Sequence, residues 1–83
     1  MRREPFEFEG RNLEVVATER EGVWTVTVCE GGHTVGRMEY SVTSDTAMDA
    51  AVAANATDIV LELMQTARRD VEEGRAALND PLK

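Results

Sequence analysis

Four short runs of alternating apolar and polar residues fill the first half of this 83-residue chain. Glycine-bearing segments separate them: "EGRN" (9–12), "EREG" (19–22) and "EGGH" (30–33). A period of two marks extended strands with one buried face, and the glycine clusters mark tight turns between them. This pattern constrains the fold because a slip of one residue would carry a strand's whole apolar set to the wrong side.

One set of turns satisfies every strand at once. A two-residue turn at Gly10–Arg11 opposes Phe8 to Leu13 and Phe6 to Val15. A four-residue loop at 19–22 opposes Ala17 to Trp24, Val15 to Val26 and Leu13 to Val28. A three-residue loop at 30–32 opposes Trp24 to Met38, Val26 to Gly36 and Val28 to Thr34. Ten apolar side chains then share a face: Phe6, Phe8, Leu13, Val15, Ala17, Trp24, Val26, Val28, Met38 and Tyr40. A two-residue Gly31–Gly32 turn fails this test, since it sets Arg37 and Glu39 beside Val26 and Trp24. The opposite face reads Glu14, Val16, Thr18, Val23, Thr25, Thr27, Cys29, Val35, Arg37 and Glu39. Such a threonine-rich surface suits the open side of an antiparallel sheet.

The second half changes period. Ser44, Asp45 or Thr46 is expected to cap a helix, with Thr46 and Asp49 spaced as a capping box. No Pro or Gly interrupts the chain from there to Glu73, and six alanines lie within 47–56. Val52, Ala56, Ile59, Val60, Leu63, Ala67 and Val71 form one apolar stripe, with Asp58, Glu62, Gln65, Arg69 and Glu72 on the other side. Gly74 is the expected stop. Asp49 falls near the stripe, so the first turn should splay or a kink should sit near 55–57. The expected fold class is α+β: an antiparallel meander of three or four strands (about 5–9, 12–18, 23–29 and 33–42), followed by one long C-terminal helix (about 45–73) packed on one face. The tail, 75–83, is expected to fray. The length implies one domain.

Charge and composition narrow the function. Sixteen acidic residues against nine basic ones give a net charge of −7. Between Met38 and Ala67 there are five acids and no Lys or Arg. Binding a nucleic-acid backbone requires clustered cations, so no direct nucleic-acid contact and no anionic membrane surface is expected. A partner protein with a basic surface fits better. The longest apolar stretches fall far short of the ~20 residues of a membrane span, and charges occupy the place of a secretory leader's apolar run. A single cysteine forms no internal disulfide, which suits a reducing, cytoplasmic setting.

No constellation points to catalysis, a metal or a cofactor. Cys29 and His33, the one cysteine and the one histidine, are expected as cross-strand neighbours at a hairpin end. That is two ligands where zinc takes about four. "CEGGHT" lacks the lysine and following helix of a phosphate loop. Trp24, Tyr40, Phe6 and Phe8 lie on the face the helix must cover, so they read as core rather than as a base-stacking platform. Gly36 reads as making room for the Trp24 ring.

The strand–strand–strand–helix order is similar to the end of a double-stranded-RNA-binding domain, but Asp45, Thr46 and Asp49 stand where that family places lysines. "SDTAMDAAVA" (44–53) resembles the helix start of the N-terminal domain of HicB-type antitoxins. No site residue is implied by either resemblance.

The expected function is therefore that of a small acidic, non-enzymatic protein-binding module that occupies a partner's surface, as an inhibitor, antitoxin-like or phage-type blocking protein does. The candidate contacts are Glu14, Glu30, Glu39, Asp58 and Glu62. The alternative is a structural homodimer or subunit interface built on Val16, Val23, Thr25, Thr27 and Val35.

Overall fold

The structure is a computed structural model and describes residues 1–53 and 57–78. Its sheet is antiparallel: β1 (Arg2–Phe8), β2 (Arg11–Arg20) and β3 (Val23–Glu30) form a meander. Two short strands, β4 (His33–Thr34) and β5 (Tyr40–Thr43), share the free edge of β3. Two helices follow, α1 (Ser44–Val52) and α2 (Ile59–Glu72).

All three hairpins turn in two residues, at Glu9–Gly10, Glu21–Gly22 and Gly31–Gly32, each with positive φ at both central positions. That is the backbone of a type I′ turn, whose twist matches that of the strands. The first turn thus lies one residue earlier than expected, and the second is two residues shorter. Phe6 pairs with Leu13, Val15 with Val28 and Ala17 with Val26. Each pairing has slid by two residues. An even slip leaves every side chain on its expected face, so Leu13, Val15, Ala17, Val26 and Val28 are all buried.

The third turn departs by one residue and would flip its strand. The Gly31–Gly32 turn forms, pairing Cys29 with Thr34 and Glu30 with His33. The clash this implies for Arg37 and Glu39 is avoided because the edge strand breaks. Val35 and Gly36 both donate their N–H to the Val28 carbonyl, at 2.9 and 3.0 Å, and the chain leaves the ladder. It returns with Tyr40 opposite Val26 and Val42 opposite Trp24. From Cys29 to Val26 is three steps, whereas from Thr34 to Tyr40 is six, so three extra residues are accommodated. This odd insertion restores the apolar face. It also corrects two expectations. Met38 is 42% exposed instead of packing under the helix, and Val35 is 2% exposed, inside the core instead of on the open face. A Cβ on Gly36 would lie 3.0 Å from the Val28 Cβ, so this glycine makes room for Val28 and not for Trp24.

The single long helix is corrected to two. Thr43, not a residue of 44–46, caps α1 by accepting from the Thr46 N–H. Asp58 caps α2 by accepting from Leu61 N–H. α1 buries no side chain, and Val52 is 78% exposed, so the expected stripe does not continue across the break. Ala56 and most of the expected kink, 55–57, lie outside the described residues. α2 carries the helical share of the core through Val60, Met64, Ala67 and Val71, with Leu63 partly buried. At its end Gly74 N–H donates to Val71 O and Arg75 N–H to Asp70 O, the paired bonds of a Schellman stop. The tail does not fray at once. Arg37 N–H donates to Ala77 O at 3.0 Å, Gly36 pairs with Leu78, and Ala76 is buried. Residues 77 and 78 thus pair with the segment that leaves the ladder. The rest of the tail, 79–83, lies outside the described residues.

Candidate interaction surfaces

The five candidate acids do not gather. Glu14 faces outward from β2, with Arg3 3.9 Å away. Glu30 lies at the end of β3 on the helix side, where Arg11 grips its carboxylate through two nitrogens at 2.8 and 3.3 Å. That grip holds Glu30 below the usual carboxylate range. Asp58 is held bidentately by Arg2, both contacts at 3.1 Å, and also accepts from Leu61 N–H. Its pKa is lowered, the Arg2 bond being the larger cause. Glu39 is exposed on the broken edge, and Glu62 on the first turn of α2. Three of the five are therefore engaged within the chain, and no single surface carries them all.

The open sheet face does gather. Across the strands, Arg20 pairs with Val23 and Val23 with Thr43; Thr18 pairs with Thr25 and Thr25 with Ser41. Arg3 pairs with Val16 and Val16 with Thr27; Glu14 pairs with Cys29 and Cys29 with Thr34. None of these outward residues is buried. Val16, Val23, Thr25 and Thr27 thus share one surface, while Val35 does not join them. Arg20 marks one end of it and Glu14 the other.

Cys29 and His33 fall on opposite faces, because Cys29 pairs with Thr34 and His33 with Glu30. This corrects their expected pairing. The Cys29 thiol lies 3.7 Å from the Thr27 hydroxyl and 3.8 Å from that of Thr34. Among the described residues no group of three or more His, Cys, Asp or Glu is arranged to hold a metal ion. No helix among them is long and apolar enough to cross a membrane.

A pocket of about 480 Å³ opens where α1 meets the start of α2 and the ends of β2 and β3. Trp24 and Glu19, direct cross-strand partners, contribute to it from the sheet. Ala47, Met48 and Ala51 line it from α1, and Ile59 and Val60 from α2. The Ser44 hydroxyl donates to Glu19 in a close contact, and the Arg2–Asp58 pair stands at the rim. The expectation of one long helix, with a splayed first turn or a kink near 55–57, did not foresee a pocket between two helices. The readable signal was Thr57–Asp58, a capping dipeptide just ahead of the "IVLEL" run.

Comparison with family models, with curated proteins and with solved structures found no match.

Proposed function

We propose that the chain is a non-enzymatic protein-interaction module of the cytoplasm whose contact surface is the open face of the sheet, and that a second copy of the chain occupies it. The observation that carries this reading is a continuous outward face of threonine and serine hydroxyls, with Val16 and Val23 set on either side of the Thr18–Thr25 pair, that none of the described elements covers. Sheets stack face to face about 10 Å apart with strands nearly aligned. Symmetric dimers make one self-complementary patch serve both partners. A two-fold axis crossing β2 between Val16 and Thr18 brings Arg20 of one copy over Glu14 of the other. Glu14, 3.9 Å from Arg3 of its own chain, then also faces an arginine of the second copy. The same axis lays Val16 over Thr18 and Val23 over Cys29 of the second copy; rim charges set orientation more than affinity, so this face-to-face contact should persist at high salt.

Sedimentation at low and high salt tests the reading. A dimer is expected at both, and Val16→Glu should split it. Glu14→Arg should weaken it, with Arg20→Glu in the same chain restoring it. A monomer at every concentration, or a dimer indifferent to Val16→Glu, would overturn the proposal.

A second reading keeps the acidic module and its basic partner protein. It is supported by the net charge of −7 and by the absence of Lys and Arg between Met38 and Ala67. Binding of this kind should weaken steeply with salt.

A further inference from the structure

The geometry points to the pocket beside Trp24 as the seat of a single lysine or arginine side chain of a basic protein; this rests on the second reading above and names its contact point. Three observations converge. The pocket, about 480 Å³ and open to solvent on one side, has ample room for one long side chain to enter. Its walls suit an aliphatic stem: Ala47, Met48 and Ala51 on one side, Ile59 on the other, with Met48 66% exposed and its thioether able to adapt to an incoming chain. Its charge suits a cationic head. Glu19 meets only the neutral Ser44 hydroxyl and forms no ion pair among the described residues, whereas Asp58 is already matched by Arg2. The pocket therefore carries one uncompensated negative charge beside an indole, and an aromatic ring next to a carboxylate attracts an organic cation. Lysine and arginine combine a long apolar stem with such a head.

Trp24 is the one tryptophan, so its fluorescence reports on the pocket directly. The probes are an acetylated, amidated lysine-containing peptide, the same peptide with norleucine for lysine, hexylammonium, and polylysine. The lysine peptide should shift Trp24 emission saturably, and the norleucine peptide should bind at least about tenfold more weakly. Glu19→Gln, which keeps a partner for Ser44, should weaken the lysine peptide by about tenfold. Glu39→Gln, which removes an exposed acid outside the pocket, should not. Equal binding of the norleucine peptide, or equal loss in Glu39→Gln, would overturn the site. Equal binding of hexylammonium and the peptide would overturn the protein partner in favour of a free amine. If polylysine binds in a salt-sensitive way while Trp24 stays silent, the pocket fails and the basic-partner reading stands. If nothing binds, both fail.

Discussion

The Tyr40 hydroxyl donates to Asp70 Oδ2 at 2.6 Å, tying the re-entering edge strand to the last turn of α2. Arg75 Nε takes the other oxygen of the same carboxylate at 3.0 Å. The bond joins the two parts of the chain that depart most from regular periodicity: the strand that resumes after a break, and the helix stop that directs the tail back to that break. Desolvation, followed by the Asp70 bond, pushes Tyr40 up to about 12.

Alkaline stability should follow Tyr40. Its folded pKa exceeds its unfolded one, so its contribution is complete below about pH 10 and lost as pH rises to about 12. Melting temperature should fall over that window, in step with ionisation of the one tyrosine. Tyr40→Phe should flatten this limb and lower the neutral-pH melting temperature by on the order of 5 °C.

Acid stability should follow three carboxylates. Glu30, Asp58 and Asp70 are all held below the usual range, chiefly by hydrogen bonds from Arg11, Arg2 and Tyr40 respectively. Their contributions are present above the unfolded carboxylate range and lost as pH falls through the lower folded values. Thermal melts should therefore be flat down to about pH 5 and decline below it. Arg2→Gln should make that decline shallower.

The helix break can be tested by two truncations. Met64→Ala should cost about 2–5 kcal/mol in chemical denaturation, because Met64 is enclosed in the core. Val52→Ala should stay within about 0.5 kcal/mol, because Val52 faces solvent. Similar losses at both positions would mean that one continuous stripe packs on the sheet.

Gly36→Ala probes the edge break. The new methyl would meet the Cβ of Val28, a stiff β-branched residue on the central strand. With little room for Val28 to yield, the cost should be about 1–3 kcal/mol in the same assay. Asp58→Ala should cost about 1 kcal/mol through loss of the α2 cap.

Period-two alternation, glycine at each turn and the polar side of the second helix are legible in the sequence itself. They determined that strands precede helix, which residues of the first three strands turn inward, where Gly74 stops α2, and how acidic the surface is. The faces of Leu13, Val15, Val26 and Val28 were legible even though their partners were not, because turns differing by an even number of residues give the same sides. The open face was legible in Val16, Val23, Thr25 and Thr27 for the same reason. Tertiary structure alone decided the edge. A local pattern says which side a residue wants, but not that a strand can step out of its ladder, admit three extra residues and accept the returning tail as a neighbour. That step buries Val35 and exposes Met38. The helix break was legible only in part: Asp49 near the stripe and the Thr57–Asp58 capping pair signal it, whereas alanine-rich residues favour a helix without saying that α1 would bury no side chain. The pocket beside Trp24 needs α1, the start of α2 and the sheet together, so no stretch of sequence read alone contains it.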